Sequence, residues 1–140
     1  MTFYADRSDP RTLHPIHTAL LAGTIPLFLG ALLSDWAYWS SYQIQWTNFA
    51  SWLIAGGLVF AGLALLCAAV GVFTADRGSA RIAYVLLLLA IFVLGFINAL
   101  IHAKDAWASM PMGLILSVIV FVLALAATWI GLSGPRQGVR

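Results

Sequence analysis

The stretch IAYVLLLLAIFVLGFINALIH, residues 82–102, runs for 21 positions without a charged side chain. A helix needs about 20 apolar residues to cross the hydrocarbon core of a bilayer, so this stretch reads as a membrane span. Its polar residues are Tyr84, Asn98 and His102. Outward from it lie three further apolar stretches, residues 16–35, 50–74 and 112–132. Of the 140 residues, 62% are hydrophobic and 9% charged, whereas a soluble domain carries about 25% charged residues. The expected fold is therefore all-α, an integral membrane bundle of four transmembrane helices. It forms one domain over residues 14–132, with a short arm at 1–13 and a tail at 133–140.

The charges give the orientation. Arg7, Arg11, Arg77, Arg81, Arg136 and Arg140 fall on one side of the expected spans and Lys104 on the other. The positive-inside rule then places both termini in the cytoplasm, in a multi-pass protein of the bacterial inner membrane. The polar opening MTFYADRSDPRT does not resemble a cleavable signal peptide. A net charge of +2 is too small to suggest nucleic acid as a partner. The single cysteine, Cys67, excludes an internal disulfide and a cysteine-built zinc site. The lipid bilayer is the partner that composition demands.

The segment from Trp36 to Trp52 also holds Tyr38, Trp39, Tyr42, Trp46 and Phe49. It reads as an interfacial aromatic belt or, alternatively, as a docking surface for a partner. Pro26 falls within the first span, where it leaves a carbonyl near Ala22 without its helical partner. In lipid such a carbonyl needs a donor, so this side is expected to face protein. Gly95 and Ala99 form a pair of small residues one turn apart, suited to close helix packing.

The candidate chemistry lies in two polar stripes. Residues 18 apart return to the same face of a helix. His17 and Asp35 have this spacing on the first span, with His14 nearby, and Tyr84 and His102 have it on the third, with Asn98 one turn before His102. Polar groups in membrane helices turn into the bundle, so the two stripes are expected to face each other or a shared cavity. Both helices run outward, which puts His14 and His17 about 27 Å from His102. One haem or metal cannot bridge that distance within a single protomer.

Two sites follow. At the inner end, His14 and His17 can share a metal ion, or one can ligate haem b with help from another subunit. At the outer end, His102 and Met112 form a candidate haem axial pair. His102 with Asp35 and Met110 is a candidate site for copper or zinc, beside Asp105. Asp35 and His102 also form a candidate proton-exchanging pair for quinone chemistry, or an ion pair that clamps two helices.

The run His14-Pro15-Ile16-His17-Thr18-Ala19-Leu20-Leu21, with Pro26 and Asp35 after it, resembles the bacterial membrane family called domain of unknown function 2231. So do the segments Asn98 to Trp107 and Met112 to Ser117. The resemblance spans roughly Leu13 to Gly131. It implies a four-helix inner-membrane protein and leaves the activity open. The functional expectation is a non-enzymatic redox or cofactor-binding subunit that works with a redox partner protein, a quinone or a second copy of itself. The alternatives are an assembly protein docking through its Trp-rich segment and an oligomeric proton-coupled carrier or channel.

Overall fold

In the computed structural model, residues 14–74 and 78–133 are described. The arm expected at 1–13, Arg77 and the tail beyond Ser133 lie outside them. The elements are α1 (Pro15–Ser41), α2 (Ile44–Thr74), α3 (Ser79–His102), a single turn α4 (Ala106–Ser109) and α5 (Met112–Leu132). The four long helices are each apolar and long enough to cross a membrane.

Local chemistry sets the helix ends. His14 is the N-cap of α1, its Nδ1 accepting the Ile16 N–H at 3.3 Å. Pro15 occupies the first turn, where a missing N–H is tolerated. At the far end Tyr42 takes a left-handed conformation, φ 55°, and its N–H bonds the Tyr38 carbonyl at 2.7 Å. The aromatic stretch is thus not a separate outer segment. It forms the last turns of α1 and the first turns of α2, joined by Tyr42 and Gln43. Between Trp36 and Trp52 no glycine or proline breaks the helical pattern, so both helices extend past the expected limits of 35 and 50. At 27 and 31 residues, they reach about 40 Å or more at 1.5 Å per residue, beyond the roughly 30 Å of hydrocarbon. Tyr42 stacks on Trp107 of α4, ring centroids 5.4 Å apart, which ties this turn to the α3–α5 connection.

The helices form a closed square. Helix α1 packs on α2 and α5, and α3 packs on the same two. Helices α1 and α3 therefore stand on a diagonal, pointing the same way. The apolar centre contains Leu21, Phe28, Ala61, Leu88, Ile91, Val120, Ala124 and Ala127. Close approach depends on small residues. A Cβ on Gly57 would fall 2.5 Å from the Phe28 ring, so this glycine admits Phe28 to the core.

The distribution of polarity is inverted relative to a soluble protein. His17, Thr24, Asp35, Asn98, His102 and Ser117 are buried, while Leu66, Val70, Phe73, Trp52 and Trp129 are exposed. An apolar exterior of this extent is covered only by lipid or by other membrane proteins. Pro26 faces away from the centre of the bundle. It sits within a continuous helix, and both it and Ala22 are on the exposed face. Thr24 turns inward instead, its hydroxyl donating to the Leu21 carbonyl at 2.6 Å. The proline ring is apolar and brings no N–H to lipid, which suits it to the outer face.

Candidate functional site

The diagonal between α1 and α3 is bridged at both ends by polar side chains. At one end His17 Nε2 meets Tyr84 Oη at 2.9 Å. At the other, His102 Nε2 meets Asp35 Oδ1 at 2.7 Å. Each bridge joins residues 67 apart in sequence, and the two lie five turns apart along both helices. The stripes predicted from 18-residue spacing are thus brought together pairwise across the bundle.

The Asp35 end is a closed ring of hydrogen bonds. Asn98 Nδ2–H donates to Ser117 Oγ at 2.9 Å, and Ser117 O–H donates to Asp35 Oδ2 at 2.5 Å. His102 Nδ1 lies 2.9 Å from the Asn98 carbonyl, one turn back. A carbonyl only accepts, so Nδ1 carries hydrogen. The remaining bond, Nε2 to Oδ1, then holds one proton. The pair is either imidazolium with carboxylate or imidazole with carboxylic acid, and it is neutral overall in both forms. With both side chains fully buried, this neutrality avoids the large cost of an isolated charge in hydrocarbon.

Helix α5 supplies the seat for this ring, and sequence reasoning missed it. Ser117 orients the carboxylate. One turn earlier, a Cβ on Gly113 would stand 2.8 Å from His102 Cε1 and 3.4 Å from both ring nitrogens, so the imidazole lies directly on the Gly113 backbone. The available signal was Ser117 itself, a lone hydroxyl in the otherwise apolar run from Met112 to Ala127.

The His17 end is open. Its Nδ1 is buried and has no hydrogen-bond partner among the described residues. His102 uses the carbonyl four residues back, but His17 lies in the first turn of α1, and the residue four back precedes the cap. The same side chain in the same kind of bridge is therefore left with one free nitrogen.

The other predicted residues lie apart from these bridges. His14 is exposed and spends its Nδ1 on the helix cap. Asp105 is the exposed N-cap position of α4, Met112 is exposed and Met110 half-buried. Among the described residues no three His, Cys, Asp or Glu side chains are grouped to hold a metal ion. Asn98 Oδ1 is buried without a partner among the described residues. Ligation through His102 would require displacing Asp35 from Nε2 or the Asn98 carbonyl from Nδ1.

Fold and site together define a small polytopic membrane protein with a hydrogen-bonded polar axis. The chain belongs to the family described as predicted membrane protein DUF2231, whose model matches residues 13–134. No curated protein and no solved structure matches it.

Proposed function

We propose that this protein is a non-enzymatic redox subunit of the bacterial inner membrane, with both termini cytoplasmic, and that its ligand site is the His17–Tyr84 end. The observation that carries this reading is the free, buried Nδ1 of His17. A buried imidazole nitrogen without a partner costs about 1–3 kcal/mol, and a bound ligand removes that cost. Four-helix bundles build cofactor sites from side chains on facing helices. If Nε2–H donates to Tyr84, Nδ1 presents a lone pair to haem b iron or to copper or zinc. A further ligand for such a group would come from another copy or a redox partner protein. If Tyr84 O–H donates to Nε2, Nδ1 presents an N–H to an acceptor such as a quinone.

In this reading the Asp35–His102 ring clamps the opposite end. A second reading makes that pair a proton-exchanging site in an oligomeric carrier or channel, and the single proton held between Nε2 and Oδ1 favours it. Assembly through the aromatic end is a third class.

The test is a visible spectrum of the detergent-purified protein, oxidised and reduced, with elemental analysis and quinone assay of the same sample. The expected result is one redox ligand per protomer or per dimer, lost in His17→Ala and retained in His14→Gln. A sample from ligand-replete cells with no haem, metal or quinone would overturn the proposal. Proton flux into liposomes that depends on Asp35 would shift the assignment to the carrier reading.

A further inference from the structure

This inference rests on placing the ligand site at His17 and names the ligand chemistry that fits it. Phenol is a good donor and a weak acceptor, whereas the unprotonated imidazole nitrogen is a strong acceptor. That order of strengths favours a hydrogen bond donated by Tyr84 Oη to His17 Nε2 across their 2.9 Å contact. A neutral imidazole then carries its own proton on Nδ1, the atom that is buried without a partner. What the site lacks is an acceptor. The described residues do not supply one, because the first turn of a helix has no preceding turn of carbonyls.

We propose that His17 Nδ1–H holds the carbonyl oxygen of a membrane-dissolved ligand, with Tyr84 fixing the tautomer that makes the donor available. The two sources of such a carbonyl are a quinone headgroup and a lipid ester. Tyr84 is a positioning residue here, because it acts on the ligand only through His17. The outer bridge provides an internal comparison: His102 has already used its Nδ1–H on Asn98, so it offers no donor to a ligand.

The experiment uses the full chain with 15N-labelled histidine, in nanodiscs of ether-linked lipid, titrated with a short-chain ubiquinone. With three histidines in the sequence, His14→Gln and His102→Gln assign the spectrum. The expected spectrum has His17 protonated on Nδ1 and unprotonated on Nε2. Its Nδ1 resonance shifts on addition of quinone, while that of His102 does not. If the shift appears instead on changing to ester-linked lipid without quinone, the carbonyl belongs to lipid and the donor assignment stands. Tyr84→Phe releases the tautomer and reduces the shift.

Two results would overturn the inference. One is a His17 found protonated on Nε2. The other is an Nδ1 resonance indifferent to both quinone and ester lipid. Haem or stoichiometric metal bound through His17 would refute the carbonyl while leaving the redox-subunit proposal intact, and absence of every ligand would remove both.

Discussion

Replacing Gly113 by alanine tests whether the bundle is fastened through the His102 imidazole. The new methyl would start 2.8 Å from His102 Cε1, where carbon atoms normally rest at about 3.5–4.0 Å. The ring or the helix must move by roughly 0.7 Å or more to restore that contact. The ring is held at both nitrogens, at 2.7 Å by Asp35 and 2.9 Å by the Asn98 carbonyl, so it cannot retreat from α5 without lengthening at least one bond. Overpacking of this kind costs about 1–3 kcal/mol. A weakened hydrogen bond to a charged group costs up to about 1.5–3 kcal/mol. Allowing for partial relaxation, the expected loss is about 2–4 kcal/mol, read by reversible unfolding in mixed micelles. Gly71→Ala serves as the control, because a Cβ there meets nothing within 4 Å. In a His102→Ala background the Gly113→Ala penalty should fall close to zero, since the obstructing ring is gone. An equal penalty in both backgrounds, or a single variant within about 0.5 kcal/mol of wild type, would refute the argument.

Three further outcomes follow from the same geometry. Asp35→Asn should be nearly as stable as wild type, because an amide can donate to neutral His102 Nε2 and accept from Ser117; Asp35→Ala, which strands both partners, should cost about 3–5 kcal/mol in the same assay. Tyr84→Phe should lose about 1–3 kcal/mol, as it leaves a second His17 nitrogen buried without a partner, and a gain in stability would contradict the bridge. Gly57→Ala should cost about 1–3 kcal/mol by driving Phe28 from the core, with the loss relieved when Phe28 is replaced by leucine.

The residues of both bridges were legible before the structure because a membrane helix has few polar residues and they fall into stripes. His17, Asp35, Tyr84 and His102 emerged from 18-residue spacing alone. The Asp35–His102 pair was also legible, because both helices were expected to run the same way and place the two residues at one level. That these pairs meet across the diagonal of the square, however, is a property of all four helices. Ser117 and Gly113 were not placed in the site for the same reason: their roles exist only once α5 is laid against α3. Helices α1 and α2 run past the span limits of 35 and 50 because the aromatic and amide residues between Trp36 and Trp52 suit an interface, and an interfacial location does not stop a helix. Pro26 was expected to face protein; within this chain it and Ala22 lie on the outer face, because the apolar ring suits that face. His14 was read as a ligand; the structure adds a cap role for its Nδ1, which follows from its position before Pro15.

The two bridges also make the bundle a gauge. They hold α1 and α3 together at levels about 27 Å apart, close to the roughly 30 Å of a bilayer's hydrocarbon. Sliding one of these helices past the other would break both bridges together, since each depends on the same offset of 67 residues. A membrane that thickens or thins must therefore be met by tilting the whole square or by deforming the lipid around it. For this protein, bilayer thickness acts on the bundle as one rigid body, with the polar ends as its fixed marks.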